Sequence, residues 1–573
     1  MDEKVVRFDL SPQRLYELAE KKFEEKDYIA ALRILRKSAE ENGAGSDELA
    51  LFADIYDEME IFDESANYWF YFLEQCSDEE AIDACEGLAA CYYNLGNDLQ
   101  AAYYYNLMIQ NKFYTPEDGL GLSEMFSSAP PVRKPFKIVY PPEEADYSET
   151  VDAGLKALKS GDYAKAEEAF LSVHPKADYY MSAQNFLAVC YLMQGKNEQA
   201  EKVCRALLEK EPDDVQVLST YAAVLTETDR REESRAVAER LAAFDTQSAD
   251  ELYKIATVCC ENGLYEQAFE KFCLLEKQVS YDLTLLYFKG VAAFRCGKTE
   301  ESLQSLGKIL DIFPDAAVTR YYYNAILQYF EQGGQMPETS FFYRIPQEER
   351  EVRLSMLKGL SEMPSADVKA FFEAADMTEI IDWCFDEADG AEPELQLFAM
   401  RIAVRGGMIG KVRRVLLDHT VNDIVKIETV RALAEQNRLF STGIVLADIF
   451  RKVYFTPLRV GKVKQDKFIY AYATCFAHFA LIGDGDCDGY RVAAENIYAA
   501  LAAADKLSLA SDADSLASAV YLSVSSVGAK HREKALELTG GRADRVNEIL
   551  SLLQGEAGRE AAAADAEKET EKE

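Results

Sequence analysis

Small and apolar residues recur along this chain at the spacing of helices that come in pairs. In "LKSGDYAKAEEAFLSV" a turn at Gly161, Asp162 and Tyr163 precedes Ala166 and Phe170. The same phase returns in "MQGKNEQAEKVC" with Gly195 and Ala200, in "ENGLYEQAFEKF" with Gly263, Ala268 and Phe272, and in "RCGKTEESLQSL" with Gly297 and Ser302. Taking the Tyr163 position as a marker, the series runs Tyr163, Asn197, Arg231, Tyr265 and Thr299, each step being 34 residues. Upstream the marker falls at Tyr28, Phe62 and Asp98, with steps of 34 and 36 residues.

Nine residues before each marker stand Ala19, Ala53, Ala89, Gly154, Ala188, Ala222, Ala256 and Gly290. Three residues after it stand Ala31, Ser65, Ala101, Ala166, Ala200, Ser234, Ala268 and Ser302. All are small, as two helices crossing at close range require. The pattern resembles the tetratricopeptide repeat family, whose unit is a helix–turn–helix stacked into a solenoid. Pro212 and Pro314 stand where that repeat closes. The same register disposes of "CGKT", which imitates a phosphate-binding loop. The glycine such a loop needs is replaced by Ala292, no strand precedes it, and Gly297, Lys298 and Thr299 fall in a turn between helices.

The expected fold is therefore all-α. It has an N-terminal array of about three repeats over 1–113 and a second array of five repeats plus a closing helix over 147–333. Between them, 114–146 holds Pro130, Pro131, Pro135, Pro141 and Pro142 with Arg133, Lys134 and Lys137, and reads as an extended linker. That basic linker is either a spacer or a ligand lying in the acidic first groove. A second linker, 334–349, precedes a C-terminal domain over 350–553, and a charged tail, 554–573, reads as disordered. In the C-terminal domain "ELQLFAMRIAVRGG", "IGKVRRVLLDHT", "VNDIVKIETVRALAEQNR" and "FSTGIVLADIFRKV" read as successive short amphipathic helices. Asp423, Val425 and Lys426 resemble the start of a HEAT or armadillo unit; a plain helical bundle is the alternative.

Composition adds limits. The net charge of −38 opposes non-specific binding to nucleic acid or anionic membrane by the chain as a whole. No apolar leader and no run of about 18 apolar residues is present, so no membrane span is expected. The twelve cysteines include no C-x-x-C, and several, such as Cys91, Cys190 and Cys273, sit in apolar helical runs. Buried thiols in a reducing cytoplasm fit them best.

The resemblance implies a protein-binding groove lined by the first helix of each unit. Carried onto the first array, its positions give Glu20, Glu24, Asp47, Asp54, Asp57, Glu58, Asp83 and Glu86, and residues 1–113 carry 10 Lys/Arg against 25 Asp/Glu. A basic peptide is the natural ligand there; a solvated acidic face is the alternative. In the second array the positions give Asn185, Gln216, Ser219, Tyr253, Thr257, Tyr287 and Phe294, which suits an extended or helical segment. The Lys/Asn/Arg set with which some family members clamp a chaperone's terminal carboxylate is absent, so that partner is not expected. Residues 400–470 reverse the charge, with 14 Lys/Arg against 6 Asp/Glu. Their cluster of Arg401, Arg405, Lys411, Arg413, Arg414, Arg451, Lys452, Arg459, Lys462, Lys464 and Lys467 meets either an acidic protein surface, its own solenoid included, or phosphate and nucleic acid. Base-stacking aromatics are sparse there, which favours protein.

Chemistry is scarce. The histidines are His174, His419, His478 and His531, with neither H-E-x-x-H nor G-x-S-x-G around them. No enzyme and no cofactor is expected; a site assembled between domains is the remaining catalytic reading. Asp484, Asp486, Asp488, Gly489 and Glu495 in "GDGDCDGYRVAAE" match calcium-loop spacing. Arg491 occupies the position of a branched apolar residue, and no second loop exists to pair with it. A turn between two helices explains these residues equally, so no metal is assigned. The leading reading is a cytoplasmic, non-catalytic scaffold or adaptor, and the alternative is a regulator using the 400–470 patch on nucleic acid or phosphate.

Overall fold

A computed structural model describes residues 11–77, 80–110, 148–175, 177, 179–374, 378–386, 393–481, 487–524 and 529–553. The proline-rich stretch 114–146 and the tail from 554 lie outside them. The second helix of every repeat starts on the marker residue: Tyr28, Phe62, Asp98, Tyr163, Asn197, Arg231, Tyr265 and Thr299. Two residues earlier the backbone is left-handed in each unit, at Lys26, Glu60, Gly96, Gly161, Gly195, Asp229, Gly263 and Gly297. The next amide bonds back over five residues each time, as in Asp162 to the Ala157 carbonyl (2.9 Å) and Lys298 to Ala293 (2.8 Å). This is a Schellman ending, which closes the first helix and aims the second back along it. Five of these positions are glycine because only glycine enters that region freely.

The small residues lie where the paired helices cross. Ala19, Ala31, Ala53, Ser65, Ala188, Ala200, Ala222, Ser234, Ala256 and Ala268 have no exposed surface. At Gly154 an added Cβ would come within 2.6 Å of the Phe170 ring, and at Gly290 within 2.9 Å of Leu306.

The described residues form two compact units. One holds 148–346 with Asp386, which is the second array and the segment after it. The other joins the first array to the C-terminal region, two parts expected from the sequence to be separate. In the C-terminal region Pro393–Gly406, Ile409–Leu417 and Asp423–Ala434 are helices as expected. "FSTGIVLADIFRKV" is not. It forms an antiparallel hairpin, β1 (Phe440–Leu446) and β2 (Ile449–Phe455), paired from Phe440↔Phe455 to Leu446↔Ile449. A continuous buried run such as Ile444, Val445 and Leu446 has no period to separate strand from helix, and its β-branched content decides for strand. The two-residue turn uses Ala447 and Asp448, both left-handed, without the Asn-Gly signature that announces such turns.

The first array holds that turn. Tyr104 Oη (2.6 Å) and Gln100 Nε2 (2.8 Å) donate to the Asp448 carbonyl, while Asp423 accepts from the Ala447 amide (2.9 Å). Glu74 accepts from the Gly443 amide (2.7 Å) and pairs with Arg413 (2.8 Å). Leu417, Val445 and Phe450 join the apolar core of the array. His419 sits in this junction with its side chain 9% exposed, Nε2 3.2 Å from Asp63 and Nδ1 3.6 Å from Asp448. Burial alone would lower its pKa, but the Asp448 and Asp63 carboxylates outweigh it and raise it to about 9.

Two outcomes follow. Gly154→Ala lowers stability by roughly 1–3 kcal/mol in denaturant melts, whereas Gly359→Ala, with nothing within 4 Å of the new Cβ, does not lower it. His419 contributes stability fully below its ordinary 6.5 and loses it as pH rises through about 9. The urea midpoint therefore falls across that window, on the order of 1–3 kcal/mol, and His419→Gln flattens the fall.

Candidate peptide-binding groove

Helix Leu283–Arg295 is the first helix of the last full repeat, and its register sends Tyr287 and Arg295 to groove positions. Both are occupied. Residues 337–346, "PETSFFYRIP", lie against them in a non-helical path that bends through 341–344, where the Arg344 amide donates to the Phe342 carbonyl (2.8 Å). Tyr287 Oη donates to the Ser340 carbonyl (2.9 Å) and lies 3.4 Å from that of Phe342. Arg295 Nε donates to Thr339 Oγ1 (3.1 Å), and its Nη2 to the Thr339 carbonyl. Tyr322, on the closing helix Ala317–Gln332, donates to the Arg344 carbonyl (2.8 Å).

Exposure of the side chains alternates along the segment. Thr339, Phe341, Tyr343 and Ile345 turn inward, and Glu338, Phe342 and Arg344 are exposed. The Phe341 ring packs at 6.0 Å from both Tyr265 and Phe288. The Arg295 guanidinium lies 5.2 Å from the centroids of both Tyr265 and Phe341, beside the stacked pair, and its Nη1 donates to the Tyr265 hydroxyl (2.8 Å) while it bonds the main chain. Tyr343 meets Tyr287 edge-on at 4.9 Å and shares a hydrogen bond of 3.1 Å with Thr319. Burial raises the Tyr287 phenol well above its ordinary range, which keeps it a donor.

Residues 157–224 match the family model for the tetratricopeptide repeat. This chain carries tetratricopeptide repeats. Solved structures with a similar path include a thermophilic tetratricopeptide protein of Thermus thermophilus (16% identity, TM-score 0.26, 32% of this chain and 99% of that one). YrrB, described as a tetratricopeptide protein with an unusual peptide-binding site, is 13% identical with a TM-score of 0.24, over 31% of this chain and 92% of its own. MamA (AMB-1) is 15% identical with a TM-score of 0.23, over 31% and 96%. No curated protein matches the sequence.

The other groove positions of the second array divide by environment. Tyr253 is 37% exposed and stacks on Phe288 at 6.5 Å. Asn185 is buried, its Oδ1 has no hydrogen-bond partner among the described residues, and it lines a cleft of about 580 Å³ with Gln216 and Asp214. Ser219 and Thr257 spend their hydroxyls on their own helices, and Gln216 donates to Asp250. Phe294 is a correction: it is 3% exposed and packs against Tyr329, so it belongs to the repeat core. Arg295, the next residue in the same register, is the side chain that meets the 337–346 segment, and the sequence does not single it out.

In the first array Glu20, Glu24, Asp47, Asp54, Glu58, Asp83 and Glu86 are exposed and Asp57 is half-buried. Glu20, Asp47 and Asp54 stand close enough to Tyr16 to raise its phenol further after burial has done so. Asp54 is open to water yet crowded by protein. Burial and the neighbouring Asp57 and Glu58 charges lift its carboxyl to about 6. Glu58 accepts from Tyr28 (3.1 Å).

The 400–470 cations do not form one patch. Lys411 pairs with Asp382 (2.5 Å) and Arg413 with Glu74, both inside their unit. Arg405 donates to the Ser361 (2.8 Å) and Met363 carbonyls, and Arg451 to the Leu481 carbonyl (2.8 Å). Arg401 lies 3.6 Å from Glu428 and lines a cleft of about 1130 Å³ with Arg405, Arg431, Arg438 and Lys369. Arg414, Lys452, Arg459 and Lys462 are exposed; Lys464 and Lys467 are half-exposed.

Asp484 and Asp486 lie outside the described residues. Asp488 and Glu495 stand seven residues apart on one helix that begins at Cys487, about 10 Å along its axis. A calcium loop needs both on one ion at about 2.5 Å. Glu495 instead accepts from the Arg459 amide (2.9 Å) and pairs with Arg491 (3.2 Å). Among the described residues no three His, Cys, Asp or Glu side chains converge as metal ligands. No described helix is long and apolar enough to cross a membrane. The described cysteines are free thiols, and burial pushes Cys91 up to about 12.

Proposed function

We propose that this chain is a non-catalytic scaffold whose second tetratricopeptide array binds a protein segment in non-helical form. Tetratricopeptide repeats generally mediate contacts between proteins. The observation that carries the finer reading is the seat made by Tyr287, Arg295 and Tyr322. Their donors point at main-chain carbonyls, which any extended segment presents, and the rings between them accept every second side chain. A helical ligand spends its carbonyls internally and offers no such row. The buried free thiols support a reducing, cytoplasmic setting.

The first array favours a basic segment, because Asp54, Asp57 and Glu58 on one helix face leave Asp54 with too little compensating charge. A second reading rests on the cleft lined by Arg401, Arg405, Arg431, Arg438 and Lys369, which suits an anionic group: an acidic protein surface first, phosphate or nucleic acid second.

The main reading is tested by titrating fluorescent peptides into the full chain. Linear peptides bind, and the same sequences locked as helices by side-chain staples do not. Tyr287→Phe weakens binding by about tenfold, the range for losing one buried hydrogen bond. Equal affinity for linear and stapled forms, or no effect of Tyr287→Phe, contradicts it.

A further inference from the structure

We propose that residues 337–346 are a built-in occupant of this groove, and that the partner segment carries the same alternation and must displace them. The inference rests on the groove reading above and names the ligand: hydroxyl, aromatic, tyrosine and aliphatic at alternate positions, in the bent, non-helical form of this segment. The inward residues Thr339, Phe341, Tyr343 and Ile345 define those four subsites. Thr339 gives its hydroxyl oxygen to Arg295, Phe341 packs against Tyr265 and Phe288, and Tyr343 meets Tyr287 edge-on and reaches Thr319. Ile345 is 3% exposed. The outward positions are unread, since Phe342 is 67% exposed although it is aromatic. No inward residue is charged, so Arg295 serves as a main-chain donor and a ring-stacking plane.

The segment is built to come away. Gly333 and Gly334 lie at φ +70° and +111°, and residues 333–336 are exposed, so a lightly packed hinge precedes it. Its hold consists of side chains of the array on its carbonyls, four inward side chains and a hydrogen bond from the Tyr343 hydroxyl to Asp386 (3.1 Å), with no strand pairing. A tethered segment sees its site at an effective concentration of the order of millimolar. A partner is therefore held off until its own contacts exceed those of the tethered copy, and its apparent affinity falls by the fraction of groove left open.

The probe is a fluorescent synthetic peptide of residues 337–346, titrated into the full chain. Phe341→Ser in the chain, which empties one subsite of the tethered copy and leaves the groove wall intact, tightens peptide binding by about tenfold or more. Tyr287→Phe added to Phe341→Ser weakens it again. Saturating peptide also speeds trypsin cleavage after Arg344 in the otherwise wild-type chain, a readout that needs no variant to fold. If the wild-type chain and Phe341→Ser bind the peptide equally, with Tyr287→Phe still weakening both, the groove binds peptides but 337–346 does not compete, and this inference is overturned. If no form binds and cleavage after Arg344 is unchanged, the groove reading falls with it.

Discussion

Everything placed in this molecule depends on how closely the two helices of a repeat cross. With alanine, glycine or serine on both sides of the crossing, backbones approach until a single Cβ at Gly154 would strike Phe170. The left-handed residue before each second helix then fixes the angle at which it returns. Short helices of this kind are marginal alone, and stacking each unit on the next supplies the burial that holds them. Once crossing and turn are set, the outward face of each first helix is set too. Tyr287 and Arg295 arrive in the groove for that reason.

The groove's chemistry follows from what it offers. Phenol and guanidinium donors address carbonyls, and rings address alternate side chains. A site of this kind selects conformation first and sequence second. The first array uses its surface differently. The face around Asn67, Glu74 and Tyr104 is spent on the β1–β2 hairpin and His419, while its acidic side remains exposed. One repeat type thus serves a junction with the hairpin in one unit and a seat for residues 337–346 in the other.

Much of this was legible in the sequence. The marker series placed the start of every second helix, because a 34-residue period with small residues at two fixed offsets has few other physical causes. Tyr287 was legible as a groove position. Arg295 was equally available in the register, but the aromatic Phe294 beside it drew the reading, and only packing tells which of two adjacent residues faces inward. The hairpin was not legible, since an unbroken apolar run lacks a period and Ala447-Asp448 is not a hairpin turn signature. Its turn is stabilised by Tyr104 and Gln100, more than 340 positions away in the chain. His419 was illegible for the same reason, as both its carboxylates arrive from elsewhere. The stretch 334–349 reads as a linker from its glycines and prolines. The strand-like alternation of Thr339, Phe341, Tyr343 and Ile345 was there to be seen, but it takes on meaning only beside the array.

The central claim is that the array grips a non-helical segment by its main chain, and a crystal structure of the intact chain tests it most directly. The account predicts the Tyr287 hydroxyl on the carbonyl of Ser340, with the Arg295 guanidinium beside the stacked rings of Tyr265 and Phe341. Density that carries residues 338–345 away from these side chains would contradict it.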